Sequence, residues 1–258
     1  MGEHHHWFEF IPGLKQLEQA VAPHLGIHVE EGGHASLYHV IMAIFVLVLV
    51  VAMLLKAGPH RLPVEERIVP EEKLTVRTFF ELITEGILGL MRDIIGPDHA
   101  ARYLPLIGTL AVFILFSNIM GLIPGLQPPT SSLNTTLACS IPVFFATHWW
   151  GVKENGLGYF KHFLGPIVAW YALPLMIIML LIEIISHIAR PISLALRLFG
   201  NITGDHMVLG LFAGLISIPL VYPVPIMILG VLVAVVQTLV FCLLSMVYIG
   251  MAVAHEEH

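Results

Sequence analysis

Glu183, Arg190 and Arg197 are spaced by seven in a stretch that is otherwise mostly leucine, isoleucine and alanine. Seven helical steps of about 100° return to within about 20° of the start, so the three share one face. Ser186, Ser193, Asn201 and Asp205 fall near the same stripe, and His206 follows it. Acid, hydroxyl, base, hydroxyl, base, amide and acid thus alternate along one side of an apolar helix. An ionised side chain at mid-membrane costs at least ~2.5–3.5 kcal/mol, and such groups usually line a water path or pair with another charge. Arginine stays charged there, so it cannot relay a proton by losing one, but it can hold a passing carboxylate ionised. Glutamate, aspartate and histidine can carry protons, and serine, asparagine and glutamine can order water. A fixed cation flanked by such groups suits a proton path with a barrier in its middle. The bland reading is a Glu183–Arg190 pair that only ties helices together. That pair leaves Arg197 without a carboxylate one or two turns upstream.

These residues need elements that carry them through lipid, and the composition supplies such elements. The chain has 258 residues, 57% apolar and 12% charged, with mean hydropathy +0.86 and net charge −6. An ordinary soluble domain is roughly 25% charged. So little charge cannot cover a water-facing surface, which disfavours a soluble enzyme or a disordered chain. The negative balance argues against nucleic acid as a partner. Cys139 and Cys242 lie in apolar runs and read as small buried hydrophobes. Three adjacent histidines, His4 to His6, stand in an acidic tail and are not expected to hold a metal. The expected fold is an all-α membrane protein of about five transmembrane helices, one amphipathic interfacial helix and a long tilted C-terminal hairpin.

Five segments follow along the chain. Residues 1–36 form a polar tail, and 37–56 the first crossing. Residues 57–98 are a proline-punctuated linker and an amphipathic helix. In that helix Val76, Phe79, Phe80, Ile83, Ile87, Leu90, Met91 and Ile94 recur at three- and four-residue steps among charges. Residues 99–166 hold two crossings, about 103–122 and 134–150, and a second linker. Residues 167–258 are the long hairpin. Its apolar stretches, 167–217 and 226–254, would measure ~77 Å and ~43 Å as helices, against a ~30 Å hydrocarbon core. Either both helices tilt or curve, or Pro191 breaks the first into an interfacial and a spanning piece. A turn centred near residue 222 sets Gln237 opposite roughly Met207, beside Asp205 and His206. Packed amides also occur as helix glue, so a structural role for Gln237 stays open. Lysine and arginine concentrate in the two linkers, which places those linkers and the C-terminus in the cytoplasm and the N-terminus outside.

ARPISLALRLFGNITGDHMVLGL, then a proline turn and VVQTLVFCLLSMVYIGMAVAHEEH, resembles the subunit a family of the F-type ATP synthase membrane sector. SNIMGLIPG and SSLNTTLA resemble the same family, and the likeness runs from about residue 100 to the end. The resemblance implies a non-catalytic, proton-translocating stator subunit in a bacterial inner membrane. It implies contact with a ring of c subunits and with b-type peripheral stalk subunits, and no cofactor or metal. Arg197 matches the family's essential arginine. Glu183 and Ser186 match the half-channel open to the cytoplasm, with Arg190 on the same side. Asn118, Asn201, His206 and Gln237 match the half open to the outside. Many relatives carry an acid at the His206 position and a histidine at the position of Gly230. Here that partner is absent, and Asp205 stands next to His206 as the acid. Two other readings are a stand-alone secondary transporter, for which inverted repeats are common but none is visible here, and a structural scaffold.

Overall fold

The computed structural model describes residues 38–57, 75–123, 126–156, 158–159, 173–215 and 223–253. The N-terminal tail with His4 to His6, most of the first linker, most of the second, the proline turn and the terminal HEEH lie outside these residues. The described residues hold six α-helices and no strand. They are α1 (Tyr38–Ala57), α2 (Val76–Ile94), α3 (Pro97–Met120), α4 (Leu133–Asn155), α5 (Leu173–Leu215) and α6 (Pro223–Val253). A short 3₁₀ turn, Pro129–Ser131, precedes α4.

α2 is the expected amphipathic helix. Thr75 caps it, its hydroxyl accepting a hydrogen bond from the Thr78 amide at 3.3 Å. Phe80, Ile87 and Met91 are buried on one face, while Leu82, Glu85 and Arg92 are exposed on the other. Arg77 is buried as well, with its Nε donating to Glu81 at 2.6 Å. The turn into α3 needs Gly96, whose φ of 103° is strained for other residues. Pro97 then opens α3 at the position where a missing amide costs nothing.

Four helices, α1, α3, α5 and α6, are long and apolar enough to cross a membrane. The remaining expected crossing forms as α4, whose 23 residues span ~34 Å. Its length suffices but its composition is mixed, because Thr135, Thr136, Ser140 and Thr147 point into the bundle and are buried. Among the described residues four spans are strongly apolar, and α4 is a fifth helix of sufficient length and mixed composition.

α5 runs unbroken through Pro191 for 43 residues, or ~65 Å, so the expected alternative of a break there does not occur. α6 has 31 residues, or ~46 Å. Both exceed a perpendicular crossing of ~30 Å of hydrocarbon.

One core joins α2, α3 and α6 through Met91, Tyr103, Ile107, Met246 and Ile249. A second joins α3, α4, α5 and α6 through Ile114, Val143, Leu194, Leu198 and Phe241. Met42 and Val46 dock α1 on Met120. The distribution of polarity is inverted relative to a water-soluble bundle. Ser117, Asn118, Thr136, Ser140, Gln237 and Ser245 are buried, while Ile178, Leu181, Ile185, Ile188, Ile228 and Leu232 are exposed. Three buried hydroxyls are satisfied locally: Thr147, Thr238 and Ser245 each donate to the carbonyl four residues back at 2.7–2.8 Å. Cys139 and Cys242 are both buried and unbonded.

At one end of the bundle Arg102 donates to Glu154 at 2.5 Å, with side chains 41% and 19% exposed. A pair this open is screened by water. Arg102→Ala is expected to cost less than about 1 kcal/mol, read as a small fall in the thermal midpoint of the purified protein.

Candidate functional site

Arg197 lies on the exposed side of α5, in line with Ser193, Gly200 and Asn201, which are exposed as well. Behind it Leu194, Ala195, Leu198 and Ile202 are buried and anchor the helix to the bundle. Among the described residues Arg197 has no ion-pair or hydrogen-bond partner. The guanidinium therefore stands on an apolar helix surface with nothing among the described residues to balance it.

Toward the start of α5, Glu183 does not pair with Arg190. Its carboxylate lies 3.3 Å from His187 Nδ1. Arg190 instead places its guanidinium carbon 5.4 Å from the ring centre of Tyr248 on α6. Such a contact holds a cation without consuming a carboxylate. The reading in which a Glu183–Arg190 pair accounts for both charges therefore loses its geometry. Ser186 is half-buried on the same stretch.

Toward the other end, Asn201 Nδ2 donates to Gln237 Oε1, and Gln237 is 3% exposed. The expected neighbour of Gln237 was Met207. The observed register is shifted by about six residues, or ~9 Å along the axis. The same register carries the Arg190–Tyr248 contact, since the step from Arg190 to Asn201 on α5 equals that from Tyr248 to Gln237 on α6. Two polar side chains reaching each other fix the sliding of two otherwise featureless apolar helices, which a turn midpoint guessed from prolines cannot do.

Asn118, near the end of α3, is buried and accepts at Oδ1 from Thr130 Oγ1 at 2.8 Å. Its Nδ2 is buried without a protein partner, as is Ser117 Oγ. Asp205 and His206 are half-buried. His206 reaches the turn after α3, where its Nε2 would come within 2.9 Å of any Cβ at Gly121. Gly230 is buried, and Leu122 fills the space that a side chain there would need.

The structure thus joins Asn201 to Gln237, and Glu183 to His187, and brings His206 to the loop that follows Asn118. It leaves Arg197 between these groups. The sequence reading missed His148, His187, Thr130 and Tyr248. His187 stands four residues after Glu183, a spacing that puts both on one helix face. The others become neighbours only through tertiary packing.

These features define a class: an all-helical membrane protein whose polar side chains follow the inside of an apolar bundle and whose one long helix displays an unbalanced arginine. Residues 36–250 match the model of the ATP synthase A chain family, and the chain belongs to that family. It is 42% identical to ATP synthase subunit a of Sorangium cellulosum over 96% of this chain and 94% of that one. It is 51% identical to ATP synthase subunit a 2 of Syntrophotalea carbinolica over 71% of this chain and 74% of the relative. The corresponding protein of a Geobacter strain is 50% identical over 70% and 76%.

Proposed function

We propose that this chain is the proton-translocating stator subunit in the membrane sector of a rotary F-type ATP synthase. It lies against a ring of c subunits, is braced by b-type stalk subunits, and makes no ATP itself. Family membership supports the assignment to the synthase membrane sector. The observation that carries the finer reading is the exposed, unpartnered Arg197 on a helix of membrane-crossing composition. Such a charge costs at least ~2.5–3.5 kcal/mol unless something outside the chain balances it, and a ring carboxylate is the fitting counter-ion.

The family resemblance implies the mechanism, and the order of groups along α5 is consistent with it. A proton enters from outside past Asn118, Asn201, Asp205, His206 and Gln237 and neutralises a ring carboxylate. The neutral carboxyl can then face lipid, and the ring turns. After nearly a full revolution the carboxyl meets the inner half, near Glu183, Ser186 and Arg190, and releases its proton toward the cytoplasm. Arg197 favours the ionised carboxylate between the two halves and repels a proton that would leak directly. α4 crosses the membrane beside α5, its hydroxyls turned away from lipid. The N-terminus is outside and the C-terminus cytoplasmic. A 100 mV potential supplies ~2.3 kcal/mol per charge, so several protons combine for each ATP.

Purification in mild detergent, followed by reconstitution in liposomes, tests this reading. The chain is expected to come out with a c-ring, and the complex to acidify the vesicle lumen when given ATP. A chain that purifies alone and carries a solute by itself would instead be a secondary transporter.

A further inference from the structure

Two histidines that the mechanism above does not use meet between α4 and α5. The rings of His148 and His187 lie 5.1 Å apart, centre to centre, at 68°. His187 is 8% exposed, and His148 is half-buried. Both line one small cavity with Ser140, Thr147, Arg190 and Tyr248. Each ring is oriented by its own helix: His148 Nδ1 lies 2.8 Å from the Phe144 carbonyl, and His187 Nδ1 lies 2.9 Å from the Glu183 carbonyl. A carbonyl can only accept, so both Nδ1 atoms carry hydrogen, and in the neutral rings the lone pair sits on Nε2. Rings this close can exchange a proton directly or through one water.

We propose that His148 and His187 form a proton-passing imidazole pair that carries the Glu183–Arg190 section of the path sideways from α5 to α4. The proposal rests on the proton-translocating reading above. In the direction of synthesis, Glu183 gives its proton to path water and becomes a carboxylate. His187 takes that proton on Nε2 and becomes an imidazolium, with the Glu183 carboxylate 3.3 Å from its Nδ1. The same proton then leaves Nε2 for Nε2 of His148, and His187 returns to the neutral Nδ1–H form. His148 releases it to water in turn, so no proton is gained or lost. Among the described residues the groups facing the pair include Glu183 and Arg190 on α5, Tyr248 on α6, and Tyr159 just after α4, whose ring centre is 6.0 Å from that of His148. Arg190 opposes the imidazolium and Glu183 favours it, so the pair does not trap the proton. Burial pushes the Tyr159 phenol up, against the pull of Arg190, so it stays neutral.

The test is passive proton conductance of the liposome-reconstituted membrane sector under a potassium diffusion potential, normalised to ring-bound complex. His148→Gln and His187→Gln are each expected to lower it on the order of tenfold, less than the roughly 10²–10⁴ of a positioned acid–base group because water partly substitutes. Each is also expected to flatten its pH dependence, because glutamine has no titrating ring. Because the two act in series, the double variant should lose little more than either single one. Unchanged conductance and an unchanged pH profile in both single variants would overturn the pair while leaving the assignment of the chain intact. Failure of that assignment shows separately, as a wild-type complex that does not conduct. Asparagine and serine are tried at each site too. If all three variants of one site lose the ring, the pair is structural and the proposal fails.

Discussion

Complexes carrying Arg197→Ala are expected to assemble with the ring and yet to make no ATP from a proton gradient. Assembly should survive because Arg197 bonds to nothing among the described residues, while its neighbours Leu194, Ala195 and Leu198 keep the helix anchored. Coupling should fail for an electrostatic reason. A guanidinium about 4 Å from a carboxylate at an effective dielectric of 20 stabilises the ionised form by ~4 kcal/mol. At ~1.36 kcal/mol per pKa unit, that is about three units, or on the order of a thousandfold in the ease of proton release. Without it the ring carboxyl stays protonated as it passes, and the barrier between the two halves is gone. The measurement is ATP synthesis by reconstituted liposomes after an acid-to-base jump, with ring co-purification as the assembly control. Synthesis within about twofold of wild type would remove Arg197 from the mechanism.

Much of this arrangement was legible in the residues, and the parts that were not share a cause. The amphipathic α2 and its end at Gly96-Pro97 follow from local periodicity and backbone geometry, which a single segment determines. The stripe from Glu183 to Asp205 follows from helical spacing alone. Three features depended on how helices slide past each other. Gln237 meets Asn201 rather than Met207, because two amides set the α5–α6 register. Glu183 turns to His187 while Arg190 turns to Tyr248, because the latter ring comes from α6. The His148–His187 contact joins residues on separate helices, so no spacing rule in one segment could reveal it. Pro191 misled in a different way. It removes one hydrogen bond, but a helix packed against neighbours inside an apolar bundle can absorb that loss without breaking.

Gly230 gives the second large effect. The family resemblance implies a histidine at that position in many relatives, which invites the substitution Gly230→His. The single substitution is expected to destabilise the assembled complex. An added Cβ would come inside van der Waals contact with Leu122 Cδ2, so the Leu122 side chain must shift to admit any residue there. Overpacking of this kind typically costs about 1–3 kcal/mol. Leu122 belongs to the same turn as Gly121, against which His206 packs. A strained residue 230 therefore also disturbs the end of the path where His206 sits. Leu122→Ala vacates the space, so the double variant Gly230→His with Leu122→Ala is expected to recover stability relative to Gly230→His alone. A coupling of about 0.5–3 kcal/mol between contacting sites is usual. Thermal unfolding of the purified complex and the yield of ring-bound protein read both variants. If Gly230→His proves as stable as wild type, Leu122 does not fill that space, and the missing histidine reflects something other than packing.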